Sequence, residues 1–423
     1  MARIAFLMLP EPGHLLPTFR IAAGLLQRGH EVHYLTLPEF REDCETQGFK
    51  FSPMLKRMCC DASGPGSLFE TQCAGSALYR SVIPCLCLEG KTILEEERGE
   101  IASIGPDLLI VDTGMMVLES AAGYHRNPEK RTDPLQSLGC GLLQMSPNFT
   151  EMYGGLPLPT LNVGAPEVIL CPQEFDLPTS RPAQRERYFV EPSVSERRRI
   201  LPFPWEWIDQ KKRLVFCSFG TQSASYESAH RAMTIVLQAF ADKSEFQLVI
   251  AAGGHAGEGI YGTLPKNVLL RKSVPQIEVL RRTTVLITHG GLGTLKEAIL
   301  SAVPMIVVPF SADQPYNAKR VIHHGLGRTF PPQTVTKEDL ITATRELADC
   351  ESTRSRLQAF QQIFARAERE APSIALIERL LASKKPLASG QKSFDCFAER
   401  TESIERRQLY LNRRRPEISG GLG

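Results

Sequence analysis

Two doubly wound α/β domains are the fold that this sequence predicts. Three observations carry the prediction: a length of 423 residues, short aliphatic and β-branched runs with helical patterns between them, and recurrence of that alternation in both halves. Single cores stop growing at roughly 250–300 residues, so this length asks for two. Strand-like runs that alternate with helical periods signal parallel βαβ units rather than a sandwich. In the first half the runs are Ile4 to Leu9, Val32 to Leu37, Leu108 to Val111 and Leu142 to Met145. In the second half they are Leu214 to Phe219, Gln247 to Ala251, Val268 to Leu270, Val285 to Thr288 and Met305 to Val308.

The boundaries follow composition. Residues 1–200 form the first domain and 201–384 the second, with a final helix that packs back on the first; 385–423 is a polar, basic tail ending in Arg413-Arg414-Arg415-Pro416 and a Gly-rich tip. The junction, from Pro192 to Lys212, has linker composition: Ser193, Ser195, Arg197-Arg198-Arg199, Pro202, Pro204, and two tryptophans that pack the hinge. The polar, proline-containing stretch from Tyr124 to Gln136 reads as a surface loop.

A hydrophobic content of 42% with 23% charged residues is that of a globular protein. The formal net charge of +2 gives no field that would draw nucleic acid, so an anionic ligand has to be bound locally. The apolar run that follows Met1-Ala2-Arg3 is interrupted by Pro10, Pro12 and His14, unlike a secretory leader, and no apolar stretch nears the ~18–20 residues of a spanning helix. A cytoplasmic location is the resulting expectation. The 11 cysteines are scattered, apart from Cys59-Cys60 and Cys85-Leu86-Cys87, with no Cys-x-x-Cys pair at zinc spacing; they read as reduced core thiols.

Chemistry concentrates at strand ends. The run Val285 to Thr288 leads into His289-Gly290-Gly291-Leu292-Gly293-Thr294 and then a helical pattern through Glu297, Ala298 and Ile299. Glycines admit close backbone approach, and a helix N-terminus offers unpaired N–H donors and partial positive charge. A tight strand-to-helix turn also needs glycine for geometry alone, so the motif fits an anion site or a plain turn. Two further groups stand at strand ends of the same half, where an open parallel sheet gathers them at one crevice. These are Ser218-Phe219-Gly220-Thr221 and Pro309-Phe310-Ser311-Ala312-Asp313-Gln314. An acid beside an amide suits vicinal sugar hydroxyls, although Asp313-Gln314 also fits a helix cap.

In the first half, Pro10-Glu11-Pro12-Gly13-His14-Leu15-Leu16-Pro17 delivers His14 to the C-terminal edge of the sheet. Neutral imidazole, with an ordinary pKa of about 6.5, suits removal of a hydroxyl proton at neutral pH. Asp112, at the end of Leu108 to Val111, is placed to bond one ring nitrogen, with Asp107 and Thr113 as near neighbours in sequence. A histidine at a helix start also serves as a capping or packing residue.

From Val274-Pro275-Gln276 through Asp313-Gln314-Pro315-Tyr316-Asn317-Ala318, the chain resembles the donor signature of GT-B nucleotide-sugar glycosyltransferases, the group that includes plant secondary-metabolite and bacterial macrolide glycosyltransferases. The offsets from His289 to Glu297, Pro304 to Pro309, and Pro309 to Asp313-Gln314 agree with that family, and Gly13-His14-x-x-Pro17 resembles its N-terminal motif. The resemblance implies the GT-B fold: two Rossmann-like domains facing a central cleft. It implies that Ser218, Gly220, Thr221, His289, Gly290, Gly291, Gly293 and Thr294 hold the donor diphosphate. Ser273, Val274, Gln276 and Glu297 would meet base and ribose; Asp313 and Gln314 would read the sugar. His14 would be the catalytic base and Asp112 its partner, matching the Pro106-Asp107-Leu108 pattern that precedes the family's partner aspartate.

The implied reaction is inverting transfer of a glycosyl group from an NDP-sugar, UDP favoured, to a hydroxyl of a small apolar or aromatic acceptor. It needs no cofactor and no metal, and the chain has no Asp-x-Asp pair. The acceptor pocket would draw on Leu15, Phe19, the segment from Met54 to Leu88 and the loop after Asp112, residues that plain helix packing explains equally well. A monomer or homodimer with no nucleic-acid partner is expected. Two departures stand out: Ser273 replaces the tryptophan that stacks on uracil in many members, and Ala302 replaces the glycine before Val303-Pro304. Competing readings are an epimerase or hydrolase of the same fold, and a non-catalytic nucleotide-sugar-binding protein.

Overall fold

The computed structural model describes residues 1–54, 93–115, 141–146, 166–178, 187–195, 201–220, 227–253, 261–311 and 313–383. Thr221, the stretch from Tyr124 to Gln136, most of the segment from Met54 to Leu88 and the tail 385–423 lie outside them. Residues up to Leu387 form one compact unit.

In that unit the first half runs β1 (Arg3–Leu7), α1 (Pro12–Gln27), β2 (Glu31–Thr36), α2 (Arg41–Glu45), β3 (Lys50–Pro53), α3 (Ile93–Ile104), β4 (Leu108–Asp112), β5 (Gly141–Ser146), β6 (Glu167–Ile169) and β7 (Arg187–Phe189). The second half runs β8 (Arg213–Ser218), α4 (Glu227–Phe240), β9 (Phe246–Ala251), β10 (Val268–Arg271), α5 (Gln276–Leu280), β11 (Val285–Thr288), α6 (Leu292–Leu300), β12 (Met305–Val307), α7 (Gln314–His323), β13 (Gly327–Thr329), α8 (Lys337–Asp349), α9 (Glu351–Glu370) and α10 (Pro372–Ser383). Among these helices none is long and apolar enough to cross a membrane.

The strands form a seven-stranded sheet, ordered β3-β2-β1-β4-β5-β6-β7, and a six-stranded sheet, ordered β10-β9-β8-β11-β12-β13. Every described pairing is parallel. Both orders reverse direction once, between β1 and β4 in the first sheet and between β8 and β11 in the second. Ligands of open α/β sheets bind at such switch points, outside the carboxyl ends of the strands. His14 follows β1 and Asp112 ends β4, while Ser218 ends β8 and His289 follows β11, so both reversals carry the residues singled out above.

Covering helices on both faces explain why the central strands read as largely apolar runs. Along β8, Leu214 and Phe216 enter the core on one face of the second sheet, and Val215 and Cys217 enter the core on the other. The first of these cores also takes Ile169, Cys171 and Phe175, from β6 and the turn after it. Trp205 and Trp207 pack against this same core, so the tryptophans serve the second sheet rather than a hinge. Ile374, Leu376 and Ile377 of α10 join the core of the first sheet beside Leu25 of α1, with Arg28, just after α1, paired to Glu378 at 2.5 Å. Leu15 and Phe19 are buried in that core too; Phe19 meets Tyr34 and Phe49 edge-on, so packing accounts for both.

Of the described cysteines, Cys44, Cys171 and Cys217 are buried thiols. Burial pushes Cys44 up to about 12 and Cys171 to about 11, and raises Cys217 further. Cys350 departs from the expected pattern: it sits partly exposed between α8 and α9, and hydrogen bonds from Ser352 and Thr353 bring its thiol down to about 7.

Ala302 has a left-handed φ of 53°. It follows α6 in a Schellman turn, in which Ala302 N–H donates to Ile299 O and Val303 N–H donates to Ala298 O, both at 2.9 Å. Alanine is strained there by roughly 1–2 kcal/mol, which explains why glycine suits the position. The variant Ala302→Gly is expected to gain about 1 kcal/mol in denaturant unfolding; an unchanged or lower midpoint would contradict this.

Candidate active site

The first wall of the site is built by α1. Glu11 precedes the helix in extended conformation (φ −132°, ψ 138°), and Pro12 occupies its first turn, where the fixed ring geometry favours initiation. His14 N–H and Leu15 N–H both donate to Glu11 O at 2.9 Å, so the first turn is closed around His14. His14 is only 7% exposed. Its Nδ1 lies 2.9 Å from Asp112 Oδ2, and Asp112 is completely buried. Asp112 Oδ1 accepts from Gly114 N–H at 2.7 Å, so both carboxylate oxygens act as acceptors.

Because a carboxylate only accepts, the proton of neutral His14 sits on Nδ1 and Nε2 presents a lone pair. Burial acts against the imidazolium, but the facing charge and hydrogen bond of Asp112, with smaller help from Glu11 and Asp313, hold its pKa above the ordinary value of 6.5. The sequence neighbours are occupied elsewhere. Asp107 Oδ2 accepts from Arg3 N–H at 2.7 Å, and Thr113 Oγ1 donates to Met145 O at 3.2 Å.

The second wall is the β8–β11 switch point. Ser218 and Thr288 stand opposite each other in the register of those strands. Gly291 begins α6 with no side-chain cap, so the helix keeps its first-turn N–H groups for an anion. The glycines divide by role. A Cβ at Gly220 (φ +78°) would lie 2.7 Å from His289 Cε1, and one at Gly291 would lie 2.6 Å from His289 Nε2. The two glycines therefore admit the His289 ring. At Gly290 (φ +89°) a Cβ would press on Val307 at 2.7 Å, whereas Gly293 faces open space. Burial lowers the His289 pKa to about 4, against a backbone hydrogen bond with Ser218, so this ring is a neutral hydrogen-bonding group at physiological pH.

Beside α6, Gln276 Nε2 donates to Glu297 Oε2 at 2.6 Å and reaches Thr294 Oγ1 at 3.4 Å. Val274 is buried in the core and Ser273 is exposed. Gln314 folds back on its own loop, where its Oε1 accepts from Phe310 N–H at 2.8 Å and Ser311 N–H at 3.1 Å. Asp313 precedes α7 without capping it. Its Oδ2 instead accepts from Asn317 Nδ2 at 2.8 Å. Burial, opposed by that hydrogen bond and by the nearby His14, raises Asp313 to about 6.

Three residues here escaped the sequence reading. Asn317 is fully buried and Arg320 is 1% exposed. Asn317 Nδ2 also donates to Gly290 O at 2.8 Å; Arg320 Nη1 donates to Asn317 Oδ1 at 2.8 Å, and Arg320 Nη2 donates to Asp176 Oδ1 at 2.6 Å. The spacing of Asp313, Asn317 and Arg320, four and then three residues apart, puts them on one helix face and was the available signal. Nothing local in the sequence ties Asp176 to them. Breaking a buried ion pair of this kind by removing one partner costs about 3–5 kcal/mol.

The chain is similar to known glycosyltransferases. Residues 162–364 match the family model for UDP-glucoronosyl and UDP-glucosyl transferase. An NDP-glycosyltransferase of Bacillus subtilis (strain 168) is 25% identical over 383 residues, covering 85% of this chain and 92% of the relative. The demethyllactenocin mycarosyltransferase of Streptomyces fradiae is 26% identical over 416 residues, covering 90% and 87%. Among solved structures, the glycotransferase of kitacinnamycin superposes with a TM-score of 0.69 at 24% identity, over 90% of this chain and 99% of that one. Fold, signature and relatives agree: the chain has the GT-B fold and the sequence features of glycosyltransferases that use nucleotide sugars. The stretch that matches the UDP-glucoronosyl and UDP-glucosyl transferase model runs from just before β6 into α9.

Proposed function

We propose that the protein transfers a sugar, with inversion, from a UDP-sugar to a hydroxyl group of a small apolar natural-product acceptor. The observation that carries this reading is the buried His14–Asp112 pair at one switch point, with the uncapped start of α6 at the other. His14 Nε2 takes the hydroxyl proton as the acceptor oxygen attacks the anomeric carbon. The new carbon–oxygen bond forms as the bond to the diphosphate breaks, and Asp112 stabilises the imidazolium. Negative charge that develops on the leaving diphosphate is met by the α6 N–H groups, Ser218, Thr294 and neutral His289, already in place before reaction. In this scheme those groups supply the stabilisation that a divalent ion gives elsewhere, so no metal is called for.

Glu297, oriented by the hydrogen bond that it accepts from Gln276, accepts from the ribose hydroxyls, and Ser273 leaves the base an open, polar edge. Asp313 reads a sugar hydroxyl as the carboxylate, and the Gln314 amide NH2, left over once Oε1 is used by the loop, donates to another. A natural-product acceptor is supported by the relative that acts on demethyllactenocin and by the low charge of the segment from Met54 to Leu88.

The test is a mass-spectrometric screen of UDP- and TDP-sugars against pooled phenolic and polyketide acceptors. Glycosylated acceptor with at least one donor is the expected result. Tight calorimetric binding of a donor with no transfer to any acceptor would favour a binding protein instead, and donor loss without acceptor would favour a hydrolase.

A further inference from the structure

Arg320 presents an unusual situation: a guanidinium with 1% exposure inside the donor half, held by a carboxylate from a distant part of the chain. Asp176 follows the turn Gln173–Phe175, whose Phe175 lies in the core of the second sheet. Arg320 Nε and Nη2 both donate to Asp176 Oδ1, at 3.1 and 2.6 Å, and Tyr316 OH donates to the same oxygen at 3.1 Å. The guanidinium carbon stands 4.6 Å from the Tyr316 ring centroid and 5.6 Å from that of Phe175, which restricts it further.

Arg320 Nη1 points at Asn317 Oδ1. An amide oxygen fixed by a cation leaves only the NH2 end to face the opposite way. That end divides its two hydrogens between Gly290 O, in the diphosphate turn, and Asp313 Oδ2, at the sugar position. One side chain thus ties together the two parts of the donor site, and its orientation is set by a salt bridge that itself touches neither.

We infer that Asp176 and Arg320 are positioning residues for donor-sugar recognition, acting through the Asn317 amide on the Asp313 carboxylate. The inference rests on Asp313 reading the sugar, as proposed above. Its mechanism is orientation. With Asn317 held, Asp313 keeps one oxygen engaged and turns the other toward the sugar; with Asn317 released, the carboxylate loses its direction and the hydroxyl contact is made less often.

The experiment measures calorimetric Kd values for UDP-glucose (or its TDP counterpart) and for UDP (or TDP) in wild type, Asp313→Asn, Asp176→Asn, Asp176→Glu, Arg320→Lys and the double variant Asp176→Asn/Asp313→Asn. Melting temperatures confirm that each variant is folded. The inference predicts that Asp313→Asn and Asp176→Asn each weaken the sugar nucleotide about three- to tenfold while the free nucleotide changes less than about twofold. Asp176→Glu restores part of the loss. The double variant loses no more than the worse single variant, because both act along one path.

If Asp313→Asn weakens the sugar nucleotide while Asp176→Asn and Arg320→Lys do not, the relay is overturned and the site reading survives. Equal weakening of sugar nucleotide and free nucleotide, or additive losses in the double variant, would reduce Asp176 to a structural role. If Asp313→Asn has no effect, or wild type binds neither sugar nucleotide, the donor-site reading fails first. Should Arg320→Lys fail to fold, the Asp176 pair still decides.

Discussion

Replacement of His14 by alanine lowers kcat for sugar transfer by about 10²–10⁴-fold, the range that a positioned general base contributes. Calorimetric affinity for UDP stays within about twofold, because the proposed diphosphate site is on the other side of the cleft. The expectation follows from placement. His14 is the group at the β1–β4 switch point that combines a lone pair at neutral pH with a buried partner to receive the resulting charge. The substitution leaves Asp112 buried without its imidazole, a loss on the order of 1–3 kcal/mol in stability. The assay is therefore run well below the variant's melting temperature. Undiminished turnover by the folded variant would remove His14 from the mechanism.

Conversion of Asp112 to asparagine has a second signature besides a rate loss of the same order. Asparagine is close in shape, but its amide can donate to Nδ1, which moves the proton to Nε2 and blocks the base. The pH profile moves as well. In wild type, burial depresses the imidazolium while Asp112 more than compensates, so the His14 pKa is raised. A raised pKa means that the base form is lost as pH falls through a value above 6.5. Removing the Asp112 charge leaves burial opposed only by Glu11 and Asp313. The pKa falls, and the acid limb of kcat/KM shifts to lower pH. Asp313, at about 6, bounds that shift, because sugar recognition weakens as its carboxylate is protonated. A limb that stays in place, or moves upward, would show that Asp112 does not set the charge on His14.

The fold was legible where strands are long and buried on both faces. Val32 to Leu37 and Val285 to Thr288 are rich in β-branched, aliphatic and aromatic residues, and each lies within two residues of a structural strand, β2 and β11. Several short strands were not legible. β3 (Lys50–Pro53) mixes lysine, serine and proline, and β6, β7 and β13 have three residues each, too few for a periodic signal.

Within the site, the glycines were found but their reasons were only half read. Close backbone approach was expected to serve a phosphate, yet Gly220 and Gly291 first make room for the His289 ring, and in the case of Gly220 the contact joins distant segments that no local pattern encodes. Asp313 was recognised, and its tie to Asn317 lay in the helical spacing. The reach from Arg320 to Asp176 spans 144 residues of sequence and depends on how the turn after β6 packs into the second core, which only the folded chain reveals.

Product stereochemistry tests the central claim most directly. In the proposed mechanism, His14 on one wall and the diphosphate groups on the other lead to attack from the face opposite the leaving group in a single displacement. With UDP-α-D-glucose as donor, the anomeric proton of the product, read by its coupling constant in proton NMR, is predicted to be that of a β-glycoside. An α-glycoside would contradict the account.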